Sequence, residues 1–150
     1  MTRLFSRGTA PERSGERGQS LPEFALVLIP FMLLLLGIFD LGRGIYMYNS
    51  AAEAAREIAR VASVDRQNGY AVGASPDTTS MKALQRRLVP GLTAGGITVS
   101  CVDIHDVAKS ECRPGQFVRV RVAVDYSPIT PLLGLTGPYN LVAVSHIEIA

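Results

Sequence analysis

Two cysteines, two histidines and their polar neighbours are the side chains best able to do chemistry in this 150-residue chain. Cys101 and Cys112 have ten residues between them, among which are His105 and Asp106. In an exported domain such a pair predicts a disulfide, and closing a loop of this size is worth ~3 kcal/mol. Two alternatives stay open. One is a metal site formed by all four residues, although structural zinc favours closer pairs. The other is a Cys101–His105 nucleophile pair, which requires a free thiolate.

Other catalytic arrangements find no support in the sequence. Ser145 and His146 are adjacent in a predicted strand, so their side chains point to opposite faces and cannot form a direct Ser–His pair. Glycine-rich phosphate loops are absent, and a net charge of +2 gives no strong basic field for nucleic acid. We therefore expect no enzyme, no cofactor, no metal and no nucleic-acid partner.

The most informative chemistry lies where a polar leader meets an apolar run, in the sequence RGQSLPEF. Gly18 is followed by four residues and then by Glu23 and Phe24, a spacing that resembles the type IV prepilin processing site. A carboxylate at the start of a lipid-facing helix is costly if it is unpaired. Cleavage after Gly18 would free an α-amino group at Gln19, which would neutralise Glu23 of the same or a neighbouring subunit. The alternative is an interfacial residue that the helix dipole favours.

A membrane-spanning helix is the element that must position Glu23. The run from Phe24 to Phe39 contains no charge, and its sixteen residues cover ~24 Å of the ~30 Å hydrocarbon core. The leader, residues 1–18, carries four arginines against two glutamates, and this bias predicts that it stays in the cytoplasm. We assign residues 19–48 to the transmembrane helix and residues 49–150 to an extracytoplasmic domain.

A proline, two charged residues and two tyrosines lie within the predicted span, and each predicts a local feature of the helix. Pro30 leaves a carbonyl without its helical partner, which predicts a kink. Asp40 and Arg43 are spaced i, i+3 on one helix face, where they can neutralise each other. Tyr46 and Tyr48 follow at a depth that suits an aromatic belt.

The sequence after the span predicts an α+β domain. We expect the long helix to run from Pro22 to Asp65, then a loop over 66–79, then a short helix from Met81 to Val89 capped by Ser80. Three strands follow, Ile97–Ile104, Phe117–Tyr126 and Leu141–Ile149, and their order predicts an antiparallel sheet packed on the helices. After the apolar run, the long helix has a 3.6-residue apolar period formed by Ile45, Ala52, Ala55, Ile58, Ala59 and Ala62.

A family resemblance rests on the run RGQSLPEFALVLIPFMLLLLGIFDLGRGI, on AAREIARVAS and on YSPITPLLGL. These segments resemble the TadE-like proteins, minor pseudopilins of the tight-adherence (Tad, or Flp) pilus system. The resemblance is specific over residues 17–65 and loose beyond them. Pro22, directly before Glu23, departs from the expected pattern, and the related TadG-like proteins share the N-terminal motif.

The resemblance implies a pilin-like fold, processing by a prepilin peptidase after Gly18 and residence in the bacterial cytoplasmic membrane. It implies as partners the peptidase, other Tad/Flp pilins and pseudopilins, and assembly platform proteins. The leading hypothesis is thus a structural pseudopilin with assembly residues Glu23 and Phe24. The alternative is a single-pass membrane-anchored binding module or adhesin on an uncleaved anchor.

Overall fold

A computed structural model of the protein describes residues 20–64, 71–130 and 137–149. Its elements in chain order are α1 (Ser20–Val64), α2 (Pro76–Leu88), β1 (Leu92–Val102), β2 (Ala108–Lys109), β3 (Phe117–Tyr126) and β4 (Tyr139–Glu148). The α+β class with a long N-terminal apolar helix and a short second helix is confirmed. The predicted leader, residues 1–18, and most of the first half of the loop predicted over 66–79 lie outside the described residues.

The chain divides into two compact units, one up to Leu36 and one from Gly37 onward. The first unit contains the apolar start of α1. The second contains the remainder of α1 together with α2 and the strands.

The sheet has four antiparallel strands in the order β2-β1-β3-β4, so the prediction of three strands was wrong. The additional strand, β2, is two residues long and pairs Ala108 and Lys109 with the end of β1. A strand this short carries no period-2 pattern, which is why sequence reasoning did not find it.

The middle predicted strand was correct at both ends. In β3 the valines at 118, 120, 122 and 124 are buried, while Arg121 and Asp125 are exposed. Because side chains alternate across a strand, this pattern gives the sheet one apolar and one polar face. The four valines join Cys101, Ala143 and Ile149 in the same hydrophobic core as the buried alanines of α1.

The upper part of α1 packs into that core through small side chains. Ala55, Ile58, Ala59 and Ala62 are buried, as their spacing predicted. The same prediction was wrong for Ile45, which is 61% exposed. The buried row instead begins at Met47 and continues through Ala51 and Ala54. Two helical positions correspond to a rotation of about 200°, so Ile45 lies on the side opposite Met47.

The second helix begins earlier than predicted, at Pro76, and its N-cap is Ser75 and not Ser80. The Ser75 hydroxyl accepts a hydrogen bond from the Thr78 N–H at 3.2 Å. A serine followed by proline at the first helical position is a favourable helix start. The helix ends before Pro90 and Gly91, as predicted, and Gly91 has a φ of 77° that favours glycine.

The other two strands differ from their predicted limits. β1 begins at Leu92 instead of Ile97, because its pairing with β3 continues past an irregularity between those two residues. The intervening Thr-Ala-Gly-Gly segment has the weak strand signal that glycine gives. β1 ends at Val102 and not at Ile104, whereas β4 runs from Tyr139 to Glu148.

Candidate functional site

The predicted assembly residues lie at the start of α1. The helix begins at Ser20, which places Glu23 in its first turn, where the partial positive charge of the helix terminus favours a carboxylate. The side chains of Glu23 and Phe24 are exposed. Gly18 and Gln19, the predicted cleavage residues, lie outside the described residues.

The apolar surface that follows is almost entirely uncovered by the described part of the chain. By length and composition α1 is able to cross a membrane, and 6% of its most apolar 18-residue window is buried. Large side chains such as Phe24, Leu26 and Ile29 are more than half exposed. The helix continues through Pro30, and the kink there stays a prediction.

Asp40 ends the apolar run and binds the connection between β3 and β4. Its Oδ1 accepts a hydrogen bond from the Ile129 N–H at 3.1 Å, and its Oδ2 accepts one from the Thr130 N–H at 2.9 Å and another from the Thr130 hydroxyl. The carboxylate is buried, with 9% of the residue exposed. Three donors therefore satisfy a group that would be costly to bury unpaired.

Tyr126 and Arg43 complete this contact. The Tyr126 hydroxyl donates to the Asp40 carbonyl at 2.7 Å. Burial and the nearby Asp40 carboxylate raise the pKa of Tyr126, so its hydroxyl remains a hydrogen-bond donor. The Arg43 guanidinium donates to the Ser127 carbonyl at 3.2 Å and lies 5.5 Å from the centre of the Tyr126 ring, which is a cation–π distance.

The sequence predicted that Asp40 and Arg43 can neutralise each other, and the structure gives both side chains further partners. Both side chains bond to the segment from Ser127 to Thr130. Sequence reasoning missed Tyr126, Ile129 and Thr130, because about 90 positions separate them from Asp40. A usable signal was the charged pair at the end of the apolar run, which had to find polar partners.

A groove of about 420 Å³ opens beside these contacts and is called here the Tyr126 groove. It is lined by Asp40, Leu41, Gly44, Ile45, Tyr48, Tyr126, Tyr139 and Leu141. The Tyr126 ring lies over Gly44, where an added Cβ would be 3.5 Å from Cζ of Tyr126, an ordinary van der Waals distance. The exposed fractions of Leu41 and Ile45 are 69% and 61%.

The cysteine region forms a separate, structural cluster. Cys101 and Cys112 are joined in a disulfide, with Cα atoms 5.4 Å apart. Because the two sulfurs bond each other, they offer neither the thiolate of a nucleophile nor ligands for a metal. In the described residues no group of three or more His, Cys, Asp or Glu side chains is arranged to hold a metal ion.

Asp103 organises the loop between the cysteines. Its Oδ1 accepts hydrogen bonds from the His105 and Val107 N–H groups, each at 2.9 Å, and its Oδ2 lies 3.0 Å from Lys109 Nζ. The Val107 hydrogen bond, followed by the Lys109 contact, lowers the pKa of Asp103 to about 2. Asp106, with a φ of 62°, lies 3.0 Å from Arg119 and 3.2 Å from His146. These contacts hold the loop between the two cysteines in place.

Comparison with known proteins gives one family match. No match was found among curated proteins or among solved structures. Residues 18–60 match the family described as TadE-like protein, and this range contains the start of α1, Glu23, the apolar run and the Asp40–Arg43 pair. The resemblance drawn from the sequence is therefore confirmed over residues 18–60, which are similar to the TadE-like protein family.

Proposed function

We propose that the protein is a TadE-like minor pseudopilin, a membrane-anchored, non-catalytic component of Tad/Flp pilus assembly. The observation that carries this proposal is the composition of the matched segment. It joins an exposed apolar helix to a first-turn carboxylate, Glu23, five residues after Gly18. We further propose that a prepilin peptidase cleaves the chain after Gly18.

The uncovered helix surface supports a structural role. Every side chain from Leu21 to Leu34 is exposed. Such a surface needs lipid or other apolar helices around it, and a pilus subunit meets lipid before assembly and neighbouring helices after it. In lipid Glu23 can stay among the headgroups. In an assembly it enters an apolar environment, where the amine of Gln19 on a neighbour would neutralise it.

The direction of insertion follows from charge and from redox chemistry. The arginine-rich leader favours the cytoplasmic side of the bacterial inner membrane, with the domain that follows the span on the outer side. The Cys101–Cys112 disulfide agrees with that placement, because disulfides persist in oxidising compartments.

Processing is the first test of the proposal. Intact mass of the protein from its native host should show a mature chain that begins at Gln19. Gly18→Ala should weaken cleavage partly and Gly18→Leu should block it, since a bulky side chain would not fit where glycine is recognised. Gly42→Ala is the matched control, because a Cβ there meets no other atom within 4 Å. A mature chain that still begins near Met1 with the peptidase present would contradict the proposal and favour the uncleaved adhesin.

Assembly is the second test and concerns Glu23. Glu23→Leu should insert into the membrane and largely be cleaved, but should no longer co-purify with other pilins. Glu53→Leu is the matched control on the same helix, since Glu53 is an exposed residue paired at 3.4 Å with Arg56. Fractionation, mature mass and co-purification are measured in parallel. Normal piliation with Glu23→Leu would mean that Glu23 is only an interfacial helix-start residue.

A further inference from the structure

We propose that the Tyr126 groove is a lipid-binding surface, filled by phospholipids of the outer leaflet of the bilayer that α1 crosses. The inference rests on the membrane anchoring in the proposed function and adds a second contact with the bilayer. Under it the folded unit, and not only its helix, touches lipid.

The depth of the groove along α1 suits the membrane interface. The uncharged run ends at Phe39 and is ~6 Å shorter than the hydrocarbon core, so the core reaches about four residues further along α1. Leu41 falls inside that interval and Ile45 just beyond it. Tyr48 lies ~14 Å beyond Phe39, near the outer edge of the headgroup region. The α1 side of the groove therefore spans the boundary between acyl chains and headgroups.

The side chains that line the groove also suit a membrane interface. The groove combines the aliphatic side chains of Leu41 and Ile45 with three tyrosines, at positions 48, 126 and 139. Tyrosine is enriched at membrane interfaces, because its ring is apolar and its hydroxyl is polar. Arg43 is exposed beside the groove, on the helix one residue from Gly44, where its long side chain can reach a lipid phosphate.

The described lining of the groove offers no unpaired charge to the lipid. Among those lining residues the carboxylate of Asp40 is the one acidic group, and its oxygens are occupied by Ile129 and Thr130. Next to it Ile129 exposes 72% of its surface. A surface at the bilayer boundary buries such apolar exposure in lipid, which is favourable in proportion to the apolar area removed from water.

The absence of tryptophan from the sequence makes the proposal testable in the full chain. Tyr139→Trp places a single indole reporter in the groove. Ile104→Trp is the matched control, because Ile104 is 73% exposed and lies far from the groove. It follows Val102, which pairs with Phe117 at the start of β3, whereas Tyr126 in the groove is at the end of β3. Phe31→Trp reports on the apolar run. Each variant is placed at one copy per lipid nanodisc, with phospholipids brominated either near the headgroup or near the chain end.

We expect the Tyr139→Trp variant to lose most of its indole fluorescence with bromine near the headgroup and less with bromine at the chain end. The Ile104→Trp variant should lose none with either lipid. Ile45→Trp, on the α1 side of the groove, provides a second reporter if Tyr139→Trp disturbs the fold, as judged by circular dichroism.

Quenching in the two groove variants that is no stronger than in the Ile104→Trp control would overturn the proposal. The proposal would also be overturned if the groove reporters became shielded from a soluble quencher only after other pilins were added. The occupant of the groove would then be protein and not lipid.

The Phe31→Trp variant separates the two proposals. If its fluorescence is quenched and that of the groove variants is not, the lipid-binding surface is wrong and the anchor stands. If neither brominated lipid quenches the Phe31→Trp variant, the membrane anchor itself is wrong and the groove proposal falls with it.

Discussion

The two halves of α1 belong to one helix, but they differ in what surrounds their side chains. From Leu21 to Leu34 the side chains are mostly large, aliphatic or aromatic, and exposed. From Ala51 to Ala62 the row of buried residues is mostly alanine, with Ile58 as its one large member. Small side chains allow a sheet to approach the helix closely, whereas large ones suit fluid lipid or another helix. Side-chain size along one helix therefore distinguishes the part that needs an outside partner from the part that has its partner within the chain.

The sharpest test of this comparison deletes the same atoms in each half. Ile58→Ala should lower the free energy of unfolding by ~2–5 kcal/mol, because it leaves a cavity in a packed core. Ile29→Ala, whose isoleucine is 63% exposed, should leave it nearly unchanged. Urea unfolding of the detergent-solubilised full chain measures both. Equal losses would show that the two halves do not differ in this way.

The disulfide should have the next largest effect. Replacing both cysteines, Cys101→Ala with Cys112→Ala, should lower the free energy of unfolding by ~3 kcal/mol, since the unfolded chain loses its cross-link. Reduction of the wild-type protein with dithiothreitol should give the same midpoint as the double variant. Midpoints that stay at the wild-type value after verified reduction would mean that the bond does not stabilise the fold.

Asp40 lies in α1 between the two regions compared. Asp40→Asn keeps the shape but replaces one acceptor oxygen with an amide, which leaves the Thr130 donors poorly matched. We expect a loss of stability smaller than that of the disulfide variant, together with faster proteolysis of the segment after Tyr126. Asp125→Asn is the matched control, because Asp125 accepts one exposed hydrogen bond from Asn140 at 3.2 Å. An equal, small effect of both variants would refute the special role of Asp40.

The smallest expected effect is the pH dependence due to Asp103. Its pKa is lowered from 3.8 to about 2, so its contribution to stability is complete above pH 4 and is lost as the pH falls towards 2. Asp103→Asn should flatten the dependence of the unfolding midpoint on pH over that window. If the slope of the Asp103 variant matches the wild type, the Val107 and Lys109 contacts do not hold the carboxylate.

The sequence by itself determined the features that arise from local pattern. The uncharged run from Phe24 to Phe39, continued by the residues of the same helix up to Tyr48, predicts a spanning helix, because lipid requires a continuous helical segment of this length. Strict alternation in β3 predicted both its limits and its buried face. The cysteine pair predicted a disulfide that is present in the structure.

Local pattern failed where the deciding partner is distant in the chain. The extension of β1 back to Leu92 depends on pairing with β3, and the two residues of β2 are a strand only because β1 lies beside them. The start of α2 is a different case, because Pro76 directly after Ser75 is a local signal for a helix start that the choice of Ser80 overlooked.

Only the tertiary structure decided what Asp40, Arg43 and Ile45 do. Their spacing on α1 predicted an ion pair and a core residue, because sequence neighbours are the only partners that a periodic pattern can show. The fold brings Tyr126, Ile129 and Thr130 to the same place, and these supply donors to the carbonyl and the carboxylate of Asp40. A buried carboxylate must accept hydrogen bonds from nearby donors, and here those donors lie about 90 positions further along the chain.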